Sequence, residues 1–271
     1  MNLRDGSARL FVDGVALWSQ HLPGWERARR ILAGSESAPS GPAPRPTLAL
    51  LPPAERRRAP DTVVVAIASG LEACAAAGRE PGLLPSVFTS THGDLAITDY
   101  LCATLADDPA LLSPTRFHNS VHNAAAGYWS IATGSTRAYT AISAGAHSFG
   151  AGLLETCVQV ITGKEAVMLV AYDIDSRGPL SSMAPSRHLL SAGLVVTPER
   201  GPRTVAELEL RLGNDGTPHE SRARPENAAR VAGNAMESCL PFFEALAVAG
   251  TREVVSFASP AVALRLGVHT L

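Results

Sequence analysis

The chain has 271 residues, of which 46% are hydrophobic and 18% are charged, and its formal net charge is -2. This length is enough for the core of one large domain or two small ones. The near-neutral charge and the absence of a basic stripe argue against a nucleic-acid-binding surface. No run of about 18 apolar residues occurs, so a transmembrane helix is not expected.

The four cysteines predict buried, reduced thiols rather than a disulfide framework or a metal site. They are Cys74, Cys102, Cys157 and Cys239, none of them in a CxxC pair and each inside an apolar, helix-like stretch. The opening residues MNLRDGSARLF lack the apolar core of a secretory signal. We therefore expect a cytoplasmic location and no bound cofactor.

The first 60 residues predict a small amount of regular structure and a long irregular connection. Residues 9–18 predict a strand or hairpin with Asp13 and Gly14 as its turn, and residues 23–32 predict a short helix with proline first. Residues 35–60 are rich in proline and predict an irregular segment within a single domain that spans 1–271. Within it, Arg56-Arg57-Arg58 predicts either a solvated loop or a landing point for an acidic carrier protein.

The middle of the chain alternates helix and strand signals. Asp61 is expected to cap a helix that ends at Gly78, and a later helix is expected over 120–132. Strands are predicted at 86–91, 137–142 and 166–173, with further helices at about 94–105 and 146–162. This alternation of apolar strands and helices favours an α/β fold with a mostly parallel sheet that is covered on both faces.

The last third predicts strands and one long helix. Two consecutive strands are expected within residues 188–213, then a helix from about 226 to 249, a strand at 253–259 and a short final strand.

The segment from Ser113 to Asp173 carries the most functional information. The strand RAYTAI runs into the small-residue turn SAG and then directly into a helix. A turn of this kind places one side chain above a helix N-terminus, where the helix dipole and free N–H groups stabilise negative charge. Nucleophilic Cys or Ser residues are often presented on such an elbow.

The order of motifs in this segment resembles that of the β-ketoacyl synthases. SPTRF, NAAAGYWSIATG, TAISAGAH and ITGKEAVMLVAYD match the family's SP…F segment, its N…GxxSIxxG helix, its TACASGAH-like elbow and its GDAD-like strand entry. The resemblance implies a thiolase-like fold that is shortened here, with one full βαβαβ-type half and a reduced second half. The family's catalytic histidines have no matching motif around His219 or His269.

The resemblance places the family's nucleophilic cysteine at Ile142. Isoleucine has no nucleophilic atom, so no thioester can form there. Ser143 is then the only nearby nucleophile candidate, with His147 as its base, although a helix cap or turn hydroxyl explains the serine equally well. His147 lies at a helix N-terminus, where a neutral imidazole is favoured.

Other residues near the elbow have two possible roles each. His118 and His122 share the i, i+4 spacing of a metal pair, but the sequence offers no third ligand, and packing explains them better. Tyr128 and Trp129 are either core residues or part of a pocket or interface. The full set of interface or pocket candidates is Asn123, Tyr128, Trp129, Arg137, Tyr139, Thr140 and Ile142.

The resemblance implies a function without catalysis. In type II polyketide and fatty-acid systems, and in aryl-polyene pathways, a chain-length factor resembles the ketosynthase, lacks its cysteine and pairs with it. The strand Arg137 to Ile142 is expected to dock on its counterpart in a cysteine-bearing ketosynthase, with an acyl-carrier protein as a further partner. Two hypotheses remain open beside it: an acyl-transferring or hydrolytic enzyme that uses Ser143, and a stand-alone acyl-binding homodimer.

Overall fold

The computed structural model describes residues 6–48, 50–213 and 219–271. Nine strands in this part of the chain form one continuous sheet in the order β4-β3-β5-β6-β1-β7-β9-β8, with β2 beside β1. The strands are β1 (Ser7–Ser19), β2 (Leu22–Pro23), β3 (Ser86–Thr89), β4 (Tyr139–Ile142), β5 (Val167–Asp173), β6 (Leu190–Thr197), β7 (Ala206–Leu212), β8 (Gly250–Ser259) and β9 (Val262–Thr270).

Helices cover both faces of the sheet around β5, β6 and β1. One face carries α3 and α6, and the other carries α1, α7 and α9. The helices are α1 (Trp25–Leu32), α2 (Pro53–Arg58), α3 (Asp61–Ala77), α4 (Leu95–Asp107), α5 (Pro114–Asn119), α6 (Ala124–Thr133), α7 (Ser148–Gly163), α8 (Pro225–Ala228) and α9 (Leu240–Ala247). The α/β prediction is therefore confirmed.

The expectation of a mostly parallel sheet is wrong. Only the pairs β3–β4 and β3–β5 are parallel, and every other pair in the described sheet is antiparallel. Strands and helices alternate only from β3 to β5. Parallel pairing is confined to this stretch, because a crossover helix is needed to return the chain to the start of the next parallel strand. The two consecutive strands predicted within residues 188–213 are present as β6 and β7, and β1 lies between them in the sheet.

The predicted turn at Asp13 and Gly14 is a bulge within one long strand. The register of β1 against β6 shifts between Val12 and Gly14, and Asp13 is buried with its carboxylate accepting the Thr204 hydroxyl at 2.8 Å. Gly14 has no room for a side chain, because a Cβ would lie 2.0 Å from the carbonyl oxygen of Ala73 in α3. The Asp-Gly pair therefore serves close packing of a helix on the sheet instead of a hairpin.

Several helix boundaries also differ from expectation. Pro23 ends β2 and α1 begins at Trp25, while α3 begins at Asp61 with Pro60, not Asp61, as its N-cap residue. The helix expected over 120–132 begins at Ala124, behind the separate helix α5. The long helix expected over 226–249 is wrong: only α8, a 3₁₀ turn and α9 form there.

The two edge strands of the sheet, β8 and β4, differ in the hydrogen bonds that their outward backbone groups make. On the β8 side, Ser221 covers the edge at Val255: its N–H donates to the Val255 carbonyl and its hydroxyl accepts the Val255 N–H, both at 2.9 Å. On the opposite side, β4 pairs only with β3 among the described residues. The Ala138 and Ile142 carbonyls accept N–H groups of Ser86 and Ser90, so the backbone groups of Tyr139 and Ala141 point away from β3.

Candidate functional site: the strand–helix elbow after β4

The elbow predicted after β4 is present in the structure. Ile142 ends β4 opposite Thr89 of β3, a turn and a 3₁₀ segment follow, and α7 starts at Ser148. The Ser148 hydroxyl closes the turn by accepting the Ala144 N–H at 3.0 Å and donating to the Gly145 carbonyl at 2.7 Å. This arrangement fixes the backbone at the point where a nucleophile would be presented.

Ile142 makes a packing contact where a reacting atom would be needed. Its side chain is half-buried and lies against the core cluster on the α7 side of the sheet. An aliphatic group can neither attack a thioester nor carry an acyl group. Ile142, where the resemblance places the family's nucleophile, therefore has no atom that could act as one.

The two weaker catalytic candidates do not form a pair. The exposed Ser143 donates its hydroxyl to the carbonyl of Thr91 at 3.0 Å. The ring of His147 lies 6.1 Å from that of Phe257, and its Nδ1 is buried without a hydrogen-bond partner in the part of the chain that the structure describes. A serine nucleophile needs its base within hydrogen-bonding reach of its hydroxyl, whereas this hydroxyl bonds to a carbonyl.

Asp173, which the sequence did not single out, organises the site. It is fully buried at the end of β5 and accepts the Ser90 hydroxyl at 2.8 Å, the Thr91 N–H at 2.9 Å and the His92 N–H at 3.2 Å. Thr91 in turn accepts from Ser143. An acidic residue that ends a buried parallel strand is the signal that could have predicted this role.

Burial raises the pKa of Asp173, although hydrogen bonds from the loop after β3 partly oppose the shift. A carboxyl whose pKa is raised in the folded state contributes most stability below its unfolded pKa, about 3.9, and less as the pH rises through the folded value. We expect the wild type to lose stability relative to Asp173→Asn as the pH rises from 4 to 7. Urea unfolding of both proteins measures this difference, and a relative gain by the wild type would contradict it.

The two histidines with metal-pair spacing lie in different environments. His122 bonds through Nε2 to the Ser90 carbonyl at 2.9 Å, whereas His118 is exposed on α5. Within residues 6–48, 50–213 and 219–271, no group of three potential metal ligands occurs. His122 thus supports the same loop that Asp173 holds.

The interface candidates divide into surface and core residues. Exposed Asn123 donates to the Tyr139 hydroxyl at 3.1 Å, and Thr140 accepts from Gln159 of α7 at 3.0 Å. Arg137 pairs with Glu165 beside a cleft of about 520 Å³ at the start of β4. These contacts hold the edge strand to helices on both of its sides.

Tyr128 and Trp129 lie in the core. Tyr128 is 3% exposed and Trp129 1% exposed, and the Trp129 ring packs edge-on against Phe88 at 6.2 Å. Gly70 of α3 makes room for this ring, because a Cβ there would lie 2.8 Å from it. Of their two predicted roles, the structure shows packing and leaves neither ring at the surface.

Three of the four thiols are buried and the fourth is exposed. Burial raises the pKa of Cys74 and of Cys157 to about 12, and it also raises that of Cys239, so these three are protonated at neutral pH. Cys102 alone is exposed, on α4. We expect a disulfide reagent such as DTNB to titrate one thiol in the native protein and four after unfolding; rapid labelling of Cys157 would contradict this.

The comparisons with known proteins identify the family and the fold. The family model described as "Beta-ketoacyl synthase, N-terminal domain" matches residues 25–253. This chain belongs to the β-ketoacyl synthase family. The comparison with curated proteins finds no relative that matches. In the part of the chain that the structure describes, no helix is long and apolar enough to cross a membrane.

Several solved ketosynthase structures share the fold. A chain in the complex of the ketosynthase ApeO with its chain length factor ApeC from Xenorhabdus doucetiae has 20% identity and a TM-score of 0.70, over 95% of this chain and 98% of that one. The ishigamide ketosynthase/chain length factor gives 15% identity and a TM-score of 0.68, over 97% and 99%.

A third structure adds a carrier protein. It is the AntDE:AntF complex, a type II polyketide synthase acyl-carrier protein with its ketosynthase bound to the hexaketide, with 12% identity and a TM-score of 0.70 over 97% of this chain and 99% of that one. These values show that this β-ketoacyl synthase family member has the thiolase-like ketosynthase fold.

Proposed function

We propose that this family member is a non-catalytic chain-length factor that pairs with a cysteine-bearing ketosynthase in a type II polyketide pathway of the aryl-polyene kind. The observation that carries the proposal is Ile142, which ends β4 at the elbow and stands where the resemblance to the family places its nucleophilic cysteine. The Ser148 hydroxyl holds the turn of the elbow, and Ser143 bonds to Thr91 in the loop that Asp173 holds. An elbow that is held in place but has isoleucine at this position suits a structural partner better than an enzyme.

The open edge of β4 supports pairing with a second subunit. Unpaired edge strands invite a further strand, and proteins usually protect them with charge, proline or a covering segment. The β8 edge has such a cover at Ser221, whereas β4 has the sequence YTAI, without charge or proline. The outward N–H and C=O groups of Tyr139 and Ala141 can bond to the equivalent strand of a ketosynthase.

A basic surface supports the second partner, an acyl-carrier protein. Arg56 and Arg57 are exposed on α2, and the carbonyl of Arg58 accepts the Asn119 amide at 3.0 Å, which brings α2 against α5 with its Arg116 and His118. Carrier proteins are acidic, so this cluster would attract one over a distance of about 10 Å at 0.1 M salt.

Co-expression with a cysteine-bearing ketosynthase encoded by a neighbouring gene tests the pairing. We expect a 1:1 heterodimer in size-exclusion chromatography and native mass spectrometry at micromolar concentration. If the two chains elute separately, the proposed function is wrong. A stable homodimer that takes up no ketosynthase would instead support the stand-alone acyl-binding hypothesis.

Mass spectrometry separates the proposal from catalysis through Ser143. After incubation with an acyl-loaded carrier protein, we expect no mass increase of this chain, because the Ser143 hydroxyl bonds to Thr91 and not to a base. A covalent acyl adduct that disappears in Ser143→Ala would establish the enzymatic alternative.

A further inference from the structure

Two adjoining clefts lie beside the start of β8. The first, of about 500 Å³, lies between α9, β8 and the segment 221–224, and we call it the arginine cleft. The second, of about 540 Å³, lies between α8, the start of α9 and the same segment, and we call it the apolar groove. The arginine cleft is defined by Arg222, Arg224 and Arg252, and the apolar groove by Ala223, Ala228, Val231 and Leu240. No residue of β4 or of the elbow lines either cleft.

The carboxylates of the arginine cleft are already paired within the chain. Glu244 accepts the Arg224 N–H at 3.1 Å and the Asn227 amide at 2.5 Å, and its side chain also pairs with the Arg224 guanidinium at 3.4 Å. Glu253 pairs with Arg265 of β9 at 3.3 Å. The acidic side chains that line this cleft are therefore neutralised by neighbouring cations.

Two arginines of the cleft have no such partner. Arg222 and Arg252 are exposed, and neither forms an ion pair with another residue in the described ranges 6–48, 50–213 and 219–271. Guanidinium groups bind carboxylates through two parallel N–H bonds, which makes arginine well suited to hold an anionic headgroup. The arginine cleft thus has positive charge available for an anion.

The backbone that carries these arginines is anchored on both sides. Ser221 makes its two hydrogen bonds to Val255, and three residues later the Arg224 N–H bonds to Glu244. Asn227 is 1% exposed and joins Glu244 to the Leu32 carbonyl, which it reaches at 3.2 Å. The segment between the two clefts is therefore fixed to the sheet and to the ends of two helices.

Apolar side chains form the floor of the arginine cleft and continue into the apolar groove. Ala245 and Val254 are buried under the arginines, and Pro241 lines both clefts. The groove itself also contains Glu220 and Glu237, which would repel an anion. A ligand with one anionic end would therefore place that end at the arginines and its apolar part along Pro241 into the groove.

We propose that the two clefts form a binding site for an ionised medium-chain carboxylic acid. Arg222 and Arg252 bind the carboxylate, and the alkyl chain lies on the apolar floor and extends into the groove. This site is separate from the elbow and from the edge strand β4, and it does not depend on the proposed pairing with a ketosynthase.

Equilibrium dialysis of the purified chain with radiolabelled dodecanoate tests the site. We expect one molecule bound per chain, and octanoate to bind at least tenfold more weakly, because each buried methylene raises affinity about fourfold. Dodecyltrimethylammonium, which has the same chain and the opposite charge, should not displace dodecanoate at equal concentration.

A double variant and a matched control locate the binding. We expect Arg222→Gln combined with Arg252→Gln to weaken dodecanoate binding at least tenfold with unchanged circular dichroism, since both side chains are exposed. Arg200→Gln removes one exposed arginine from the loop between β6 and β7, outside both clefts, and should leave the affinity within twofold of wild type.

Three results would overturn the inference. Dodecanoate that does not bind at millimolar concentration excludes the site. Equal displacement by dodecyltrimethylammonium would mean adsorption to apolar surface without recognition of charge, and unchanged affinity in the double variant would mean binding elsewhere on the chain. All these measurements use the chain alone, so they leave the proposed function untouched, and a failed heterodimer would leave this site untouched.

Discussion

Replacing Gly150 with alanine is expected to lower the melting temperature by about 10 °C, because the first turn of the elbow helix, α7, has no room for a methyl group. A Cβ at Gly150 would lie 2.2 Å from the Phe257 carbonyl oxygen and 2.6 Å from its carbon. Both atoms belong to the backbone of β8, so a side-chain rotation cannot relieve the clash. Overpacking against a backbone costs about 3 kcal/mol, and each kcal/mol lowers the melting temperature by about 2–4 °C at this size.

Gly127→Ala is the matched control. Gly127 also lies within a helix, α6, but nothing is within 4 Å of a Cβ built there. Alanine should therefore stabilise the chain slightly, by about 0.5–1 kcal/mol, through its higher helix propensity. Differential scanning calorimetry measures both variants. Equal melting temperatures for Gly150→Ala and wild type would show that α7 does not lie against β8 as described.

Replacing Ala141 with proline is expected to weaken heterodimer formation by about 100-fold, or about 2.7 kcal/mol, with little effect on the fold of the chain. The Ala141 N–H points away from β3, because the neighbouring Ile142 carbonyl accepts the Ser90 N–H. Proline removes that outward N–H and places its ring where a partner strand would approach. The bonds between β4 and β3 are kept.

Ala141→Val controls for side-chain size at this position, since valine keeps the N–H and favours a strand. Isothermal titration calorimetry with the ketosynthase gives the affinities, and thermal unfolding shows that each variant folds. If Ala141→Pro folds and binds as tightly as Ala141→Val, pairing along β4 is excluded even where a heterodimer exists.

The parts of the fold that local sequence determines were predictable. Gly78 and Gly134 end α3 and α6 in the left-handed conformation, and Asp94 caps α4 through the Ile97 N–H at 3.0 Å. The elbow was predicted because strand, small-residue turn and helix follow one another directly. Local signals of this kind depend on residues within one or two helical turns.

Features that depend on distant residues were not predictable. The bulge at Asp13 depends on Thr204 and α3, which lie far from it in sequence, whereas the Asp-Gly pair by itself predicts a turn. The role of Asp173 depends on hydrogen bonds from the loop after β3, which lies more than 80 residues earlier in the sequence. The burial of Tyr128 and Trp129 likewise depends on Gly70 of another helix.

The covered edge at β8 has a consequence for assembly. A sheet with two free edges can add strands at both and grow into a filament, whereas a sheet with one free edge is complete after a single addition. Here Ser221 occupies the hydrogen-bonding groups of Val255, and β4 is left as the open side. At Val255 a further strand cannot pair with β8 unless it displaces Ser221, so the proposed addition at β4 favours a pair of subunits over a filament.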